Sequence, residues 1–401
     1  MGINLEIYGE YDIKTAENKI RSIKEIEIPA FAKYQPDIEN IIRVAEKYKG
    51  YSNVIIIGNG GSITSFWAFY KALAEYKSKK NVYIISTMDP DFINYVREKC
   101  LPKDTLVVPI SKSGNTVGVL EVIFAFEGYP MFSITSEDSG ALREITRKRN
   151  LEYLTIPKEI GGRYSGRTSC GYFPAVLFDI DIAEIDQGIR EICEICTSKN
   201  NLEKNLALKL ATFLYLMDLK GYSEIFHPVY SPKLEGFTNL MVQLIHESSG
   251  KEGKGQTIYG SLGPESQHHT NQRFFGGKKN VVGLFLNVAK LEHQNMKTMA
   301  PDDLKDISLK DKNLDILSNI PLAKALEFEF RGTVEDAENK NIPLAIVTLD
   351  EVSANNVGQY LAFIQYLAVY SSLLREVNPF DQPQVEDSKE ISYELRLQYN
   401  K

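Results

Sequence analysis

The sequence predicts an α/β fold with two doubly wound domains. From residue 50 onward one unit recurs: a short β-branched run, a turn rich in glycine and serine, and then a helical pattern. This alternation is typical of a parallel sheet with crossover helices. A helical stretch and a second run of the same kind follow, so we expect a second α/β domain after the first.

The first domain is predicted over 41–195, after an N-terminal helical segment over 1–40. Segments such as Phe66–Tyr76 and Val117–Phe126 suit crossover helices. The strands that they separate are predicted at Val54–Ile57, Val82–Ser86, Leu106–Ile110, Met131–Ile134 and Tyr153–Ile156.

The second domain is predicted over 196–350 and begins with a helical stretch near Leu202–Leu219. The segment 351–401 has the pattern of two helices that are split at Asn378-Pro379. The strands of the second domain are predicted at Ile225–Tyr230, Val281–Leu286 and Leu344–Thr348.

Composition places the chain among ordinary globular proteins. Hydrophobic residues make up 43% of the 401 residues and charged residues 25%, which excludes a disordered or fibrous chain. The net charge of -7 and the lack of a dense basic block argue against nucleic acid as a partner. An anionic small substrate fits, because a few backbone amides and one or two cations create a local positive site.

Cysteine use and hydropathy bear on the compartment. Four cysteines make no disulfide framework, and the N-terminus lacks the apolar core of a signal peptide, so we expect a cytoplasmic protein. No second pair of ligands follows Cys193-x-x-Cys196, so no metal site is predicted there. The uncharged stretch Val352 to Leu374 is long enough to span a bilayer. Its scattered Asn, Gln and Ser favour a buried helix instead, and no membrane contact is expected.

The first of two notable turns runs from Gly58 to Ser62, between a predicted strand and a predicted helix. At Gly60 and Gly61 the backbone amides can approach an anion closely. The dinucleotide fingerprint fails here, since its third glycine and its later acidic residue are missing. The P-loop pattern fails as well.

The second turn runs from Ser111 to Thr116, after the predicted strand Leu106–Ile110. Ser111, Lys112, Ser113 and Thr116 supply hydroxyl groups and one ammonium, which suit a phosphate monoester. Helix capping is the alternative, although it accounts for only one hydroxyl per helix. Both turns lie at carboxyl ends of strands in one inferred sheet, so they can converge on one ligand.

Two further segments hold candidates for acid–base chemistry. Glu247 ends an apolar helical stretch beside a Ser-Ser-Gly turn, and a solvated carboxylate is the alternative. The zinc-protease pattern that begins at His246 fails, because position 250 is glycine. His268 and His269 lie in a polar loop, Gly263 to Gly277, whose lack of an apolar rhythm favours function over a chance surface position.

The glycine pair Gly161-Gly162 follows the last predicted strand of the first domain. It lets the backbone bring Arg163 into a cleft, where a permanent positive charge can stabilise an oxyanion. A structural arginine in an ion pair is the alternative.

These segments, in this order, resemble the phosphoglucose isomerase family, which has two sugar-isomerase domains with flavodoxin-like sheets. The resemblance spans most of the chain. Each segment is unspecific by itself, but six in family order are specific. They are Gly58–Ser62, Ser111–Thr116, Gly161–Ser165, Glu247–Lys251, Gln267-His268, and Phe380–Glu386 with Lys389.

The resemblance implies a sugar-phosphate site that the helices of 351–401 complete. Gln243 and Gln382 would line it. The phosphate would be bound by Gly60, Gly61, Ser62, Ser111, Lys112, Ser113 and Thr116.

The resemblance also implies interconversion of glucose 6-phosphate and fructose 6-phosphate, a step of glycolysis and gluconeogenesis. Glu247 would move a proton between C2 and C1 of a cis-enediol, and Arg163 would support the enediolate. His268 and Lys389 would assist ring opening. No metal or organic cofactor is needed for this chemistry. In the family the histidine that assists ring opening, which His268 matches, comes from the partner subunit, so a homodimer is implied.

Two other functions stay open. A dual phosphoglucose/phosphomannose isomerase would need a site that also permits processing of the C2 epimer, and the motif Phe380-Asp381-Gln382 argues for the single-substrate type. A non-catalytic sugar-phosphate-binding protein would not need Glu247, His268 and Lys389 together.

Overall fold

The computed structural model describes residues 1–9, 18–19, 28–197 and 204–399. In these ranges the chain forms two five-stranded sheets and one two-stranded hairpin. The strands are β1 (Ile3–Tyr8), β2 (Asn53–Ile57), β3 (Asn81–Ile85), β4 (Thr105–Ser111), β5 (Ser133–Thr135), β6 (Tyr153–Thr155), β7 (Glu224–Val229), β8 (Thr257–Leu262), β9 (Val281–Val288), β10 (Ser308–Leu309), β11 (Lys312–Asn313) and β12 (Leu344–Leu349).

Helices flank both sheets. The α-helices are α1 (Ala30–Lys33), α2 (Ile38–Glu46), α3 (Gly61–Leu73), α4 (Pro90–Lys99), α5 (Val117–Ala125), α6 (Ala141–Lys148), α7 (Ser169–Leu177), α8 (Ile182–Cys196), α9 (Leu206–Leu219), α10 (Gly236–Ser249), α11 (Thr270–Gly276), α12 (Leu322–Asn339), α13 (Ala354–Leu374) and α14 (Glu386–Tyr399). Short 3-10 helices include Gly162–Arg167 and Glu265–His268.

The first sheet has the strand order β3-β2-β4-β5-β6, and all of its pairs are parallel. This is the flavodoxin-like order, in which the strand order reverses between the first and third strands and ligands bind at that point. The five predicted strands are confirmed. Strand β2 is buried along its whole length, which is why its sequence is an almost continuous apolar run. The turns Gly58–Ser62 and Ser111–Thr116 leave the sheet at the reversal.

The second sheet has the order β1-β12-β9-β7-β8. The strands β12, β9, β7 and β8 are parallel and repeat the pattern of the first sheet, while β1 pairs antiparallel with β12 at one edge. The three predicted strands are confirmed. The strand β8 was not predicted, because Gly260 and flanking polar residues interrupt its apolar run.

The prediction of a helical segment over 1–40 is wrong at Ile3–Tyr8, which forms β1. Ile3 and Leu5 are buried and alternate with exposed Asn4 and Glu6, a period of two that fits a strand with one covered face. Residues 10–17 and 20–27 of that segment lie outside the described residues. The limits 41–195, 196–350 and 351–401 stay predictions.

The predicted C-terminal helix pair is present as α13 and α14. In the described part of the chain, one helix, α13, is long and apolar enough to cross a membrane, yet 94% of its most apolar window is buried inside the protein. It packs against α8, α9 and α10, as predicted for a buried core helix. Of the predicted helical stretch near Leu202–Leu219, residues 202 and 203 are not described, and the helix runs over Leu206–Leu219.

One close helix contact brings the two halves together. At Gly236, the first residue of α10, a Cβ atom would lie 2.8 Å from the Cα atom of Ala68 on α3. Only glycine permits this approach without a shift of the backbone. The far end of α10, which carries Glu247, is thereby held beside the turns of the first sheet.

Candidate active site

Three turns of the first half meet at one place. A Cβ atom on Gly61 would lie 2.1 Å from the carbonyl carbon of Gly162, and the Ser165 hydroxyl donates to the Gly61 carbonyl at 3.1 Å. A Cβ atom on Gly58 would lie 3.3 Å from the carbonyl oxygen of Ile110, just before the turn Ser111–Thr116. The two candidate phosphate turns and the glycine pair before Arg163 therefore adjoin, as the sequence predicted for the first two.

The Arg163 side chain joins these turns to the second half of the chain. Its Nε donates to the Ser248 hydroxyl at 2.8 Å, and its Nη1 donates to Glu247 Oε2 at 3.1 Å. Nη1 also donates to Gln382 Oε1 at 2.8 Å. Nη2 donates to the carbonyl oxygens of Pro379 at 2.6 Å and Asp381 at 3.0 Å. The guanidinium, 1% exposed, thus uses all of its donor directions.

Glu247 is oriented through both of its carboxylate oxygens. Besides the contact of Oε2 with Arg163, Oε1 accepts from Gln243 Nε2 at 2.8 Å, one helical turn earlier on α10. The Gln243 carbonyl oxygen accepts in turn from the Thr64 hydroxyl on α3 at 3.1 Å. With 26% of its side chain exposed, Glu247 is held in place and still reachable from solvent.

Tyr164 and Ser248 support this arrangement from behind. The Tyr164 hydroxyl lies 2.9 Å from Ser248 Oγ and donates to the Pro379 carbonyl at 3.1 Å. Burial raises the pKa of Tyr164, so its hydroxyl stays protonated and remains a donor. The Ser248 hydroxyl is fixed between Tyr164 and Arg163, which sets the plane of the guanidinium.

The turn Ser111–Thr116 combines one closed end with one open end. Ser111 is buried and its hydroxyl lies 2.9 Å from that of Thr116, whereas Ser113 is exposed and accepts from the Asn115 backbone N–H at 3.2 Å. Burial lowers the pKa of Lys112, and no described carboxylate forms a salt bridge with it. A half-buried ammonium of this kind suits an added anion.

His268 and Lys389 are not in contact with Glu247 or Arg163 in the described part of one chain. His268 is exposed at the end of the 3-10 helix Glu265–His268 and lines a separate groove beside Asp336 and Lys340. Lys389 has 64% of its side chain exposed and donates to Glu386 at 2.8 Å. The predicted roles of both residues stay predictions.

Comparison with protein-family models gives no match. The chain is 31% identical over 363 residues to the glucose-6-phosphate isomerase of Methanocaldococcus jannaschii, a match that covers 87% of this chain and 86% of that relative. The chain belongs to the glucose-6-phosphate isomerase family. The glucose-6-phosphate isomerase of Staphylococcus aureus is 26% identical over 431 residues, with 98% of this chain and 94% of the relative covered.

Solved structures share the fold. A hypothetical protein of Thermus thermophilus superposes with a TM-score of 0.85 at 24% identity, covering 98% of this chain and 100% of that one. The glucose-6-phosphate isomerase of Chlamydia trachomatis gives a TM-score of 0.79 at 19% identity, covering 100% and 89%. The predicted α/β fold, with two largely parallel sheets flanked by helices, is thereby confirmed.

Some contacts at this isomerase-family site were not predicted from the sequence. Thr64, Ser248 and Tyr164 orient Gln243 and Arg163, although the sequence assigned them no role. Ser248 and Tyr164 lie inside motifs that were noted, so adjacency to Glu247 and Arg163 was an available signal. The carbonyl acceptors of Pro379 and Asp381 have no signal in the sequence, because every residue carries a carbonyl group.

Proposed function

We propose that this chain is a glucose-6-phosphate isomerase, which interconverts glucose 6-phosphate and fructose 6-phosphate through a cis-enediol. One observation carries the proposal: a partly exposed carboxylate, Glu247, is oriented through both oxygens beside the buried guanidinium of Arg163. The homologues with this name support it across most of the chain.

In the proposed reaction Glu247 takes the proton from C2 and returns it to C1, or the reverse. One carboxylate can serve both carbons, because they are adjacent and the enediol keeps them in one plane. General acid–base catalysis of this kind contributes roughly 10²–10⁴-fold. Glu247 is suited to it because Gln243 and Arg163 fix its orientation before substrate arrives.

Charge stabilisation of the enediolate is assigned to Arg163. Its Nη1 already donates to a neutral acceptor, the amide oxygen of Gln382, at 2.8 Å. An enediolate oxygen that replaced this amide oxygen would meet a preorganised donor that carries a permanent charge. Gln382 would then be free to turn its amide group toward a sugar hydroxyl.

The phosphate is assigned to the turns at the strand-order reversal of the first sheet. Backbone amides at Gly60, Gly61 and Ser62 lie at the start of α3, where the helix dipole favours an anion. Lys112, Ser113 and Thr116 of the second turn are assigned to the same phosphate. The buried Ser111 would contribute through its hydrogen bond to Thr116.

A homodimer in which the partner supplies His268 is part of the proposal. His268 is exposed and lies outside the cleft of its own chain, which is consistent with a role in a neighbouring cleft. Helix α14 exposes Ile391, Leu395 and Leu397, and exposed apolar side chains on one helix are typical of an interaction surface. We infer a cytoplasmic location as well, which four buried free cysteines support.

The test is a coupled assay of the purified protein with fructose 6-phosphate in the presence of a chelator, with glucose-6-phosphate dehydrogenase reporting the product. We expect turnover that the chelator does not reduce. Absence of turnover, together with binding of the sugar phosphate in calorimetry, would instead indicate a non-catalytic binding protein. Mannose 6-phosphate as a second substrate distinguishes the dual-specificity isomerase.

A further inference from the structure

Lys251 is a buried cation just beyond the end of α10. Its side chain is only 6% exposed. A buried ammonium is costly unless hydrogen bonds and a counter-charge compensate it. The Lys251 ammonium therefore needs hydrogen-bond acceptors from the protein, because water cannot solvate it.

All three acceptors that Lys251 contacts belong to one short segment, Asn378–Asp381. Its Nζ donates to the Asn378 carbonyl oxygen, to the Asp381 carbonyl oxygen at 2.6 Å and to Asp381 Oδ1 at 2.5 Å. The remaining carboxylate oxygen of Asp381 accepts from the Asn378 side chain at 3.0 Å. The contact is thus made with the backbone of the segment as much as with its charge.

The same segment is bound by Arg163. The Asp381 carbonyl oxygen accepts from both Lys251 Nζ and Arg163 Nη2. Of these two cations, only Arg163 also donates to the Pro379 carbonyl oxygen. Two buried cations from distant parts of the chain therefore share one carbonyl oxygen. The next residue, Gln382, places its amide oxygen on Arg163 Nη1.

Beyond Gln382 the chain has few other attachments. Among the described residues of α14, Glu386–Tyr399, none is buried. Its far end is joined to α5 by Arg396, whose Nε and Nη2 donate to Glu121 at 2.5 and 2.8 Å. We call residues 382–399 the C-terminal arm. The end of this arm next to Asp381 is fixed by Lys251 and Arg163.

We propose that Lys251 and Asp381 form a positioning pair that holds Asn378–Asp381 so that Gln382 and Arg163 keep the geometry required for isomerisation. This inference rests on the proposed function and extends it to two residues outside the catalytic set. Neither touches a reacting atom, so both act through Arg163 and Gln382. The pair joins the segment that follows Glu247 to the C-terminal arm, two parts of the chain with separate sequence motifs.

The inference predicts a selective kinetic effect. Without the ammonium, three oxygen atoms lose a donor and the segment loosens, so the Arg163 and Gln382 side chains lose their fixed orientation. The phosphate turns lie on the first sheet and are not held by Lys251. Turnover should therefore fall while affinity for the phosphate group stays.

The experiment compares Lys251→Met with Lys254→Met in the full chain. Lys254 is a matched control three residues on, with an exposed side chain that pairs with exposed Glu252. We expect Lys251→Met to lower kcat about 10- to 100-fold, with KM and the inhibition constant of inorganic phosphate within about 2-fold. We expect Lys254→Met to match the unsubstituted protein and Lys251→Arg to recover part of the lost kcat.

Asp381→Asn is the second variant, and it keeps the fold testable because Asp381 is half exposed. It removes the counter-charge but not the two carbonyl acceptors, so kcat should fall less than in Lys251→Met. The double variant should lose less than the product of the two single effects. Unchanged kcat in a folded Lys251→Met or Asp381→Asn protein would overturn the inference.

Failure of the inference and failure of the proposed function look different. If the unsubstituted chain turns over fructose 6-phosphate while Lys251→Met only lowers the melting temperature, the positioning pair is wrong and the isomerase stands. If the unsubstituted chain shows no turnover, the proposed function is overturned and the inference with it.

Discussion

Arg163 and Arg167 lie four residues apart in one turn and are equally buried, at 1% exposure, yet their surroundings differ. Arg167 donates through Nε and Nη2 to both oxygens of Asp186, at 2.6 and 3.1 Å, and Asp186 is itself 1% exposed. Arg163 divides its donors between a partly exposed carboxylate and neutral oxygens.

The two arginines differ in how far a buried partner neutralises their charge. Around Arg167 a bidentate pair neutralises the charge, and Tyr172 adds a third donor to Asp186 at 3.1 Å. Around Arg163 the carboxylate partner opens to the cleft and one acceptor is the side chain of Gln382. Burial alone therefore does not distinguish the ion-paired Arg167 from Arg163, for which we propose a catalytic role.

The largest effect is expected from Arg167→Met, which breaks the buried ion pair between Arg167 and Asp186. It leaves the Asp186 charge buried and short of its main partner, so the free energy of unfolding should fall by about 3–5 kcal/mol. The kcat of the folded fraction should not change. Urea unfolding measures the free energy of unfolding, and kinetics normalised to the concentration of active sites measure kcat. The matched control is Arg190→Ala, whose exposed side chain meets the same Asp186 and should cost less than about 1 kcal/mol.

Arg163→Lys should give the opposite pattern. The charge is kept but the planar fork is lost, so we expect kcat to fall about 10²-fold, the magnitude of one lost oxyanion donor. Because lysine still reaches some of the neutral acceptors, the unfolding free energy should fall by only about 1–2 kcal/mol. A stability loss as large as in Arg167→Met with unchanged kcat would show that Arg163 is structural as well.

A smaller effect is expected from the hydrogen bonds that orient Glu247 beside Arg163. Thr64→Val removes the hydroxyl that fixes the Gln243 amide, and kcat should fall about 3- to 10-fold, the equivalent of one hydrogen bond. In a Gln243→Leu background the same substitution should have no further effect. The control is Ser65→Ala, since the buried Ser65 hydroxyl has no partner among the described residues; equal losses in both would refute the link from Thr64 to Glu247.

The parallel strands could be predicted because their signal is local. β2, β4 and β9 are nearly continuous buried apolar runs, and the turns after β2 and β4 mark where the strand order reverses. The strand β1 also has a local signal, the alternation of buried and exposed side chains, but its place in the sheet has none. It pairs with Leu344–Leu349, more than 300 residues later, and no local pattern identifies a partner at that distance.

The site was predictable in its residue types and not in its contacts. Glu247 and Arg163 were named from their motifs, Gln243 and Gln382 from the family resemblance, and the four do meet in the structure. The bond from Lys251 to Asp381 was not foreseen, because each residue lies in a different motif and neither motif indicates its neighbour in space. The roles of His268 and Lys389 stay predictions.

Solvent exchange measures whether Glu247 moves the proton between C1 and C2. Fructose 6-phosphate is incubated in D₂O with the unsubstituted protein or Glu247→Gln, and deuterium in the C1 and C2 positions of the sugars is followed by NMR. We predict exchange with the unsubstituted protein and a loss of at least about 10²-fold in both exchange and turnover with Glu247→Gln, while sugar-phosphate binding persists. Exchange and turnover at the unsubstituted rate in Glu247→Gln would show that Glu247 does not move the proton.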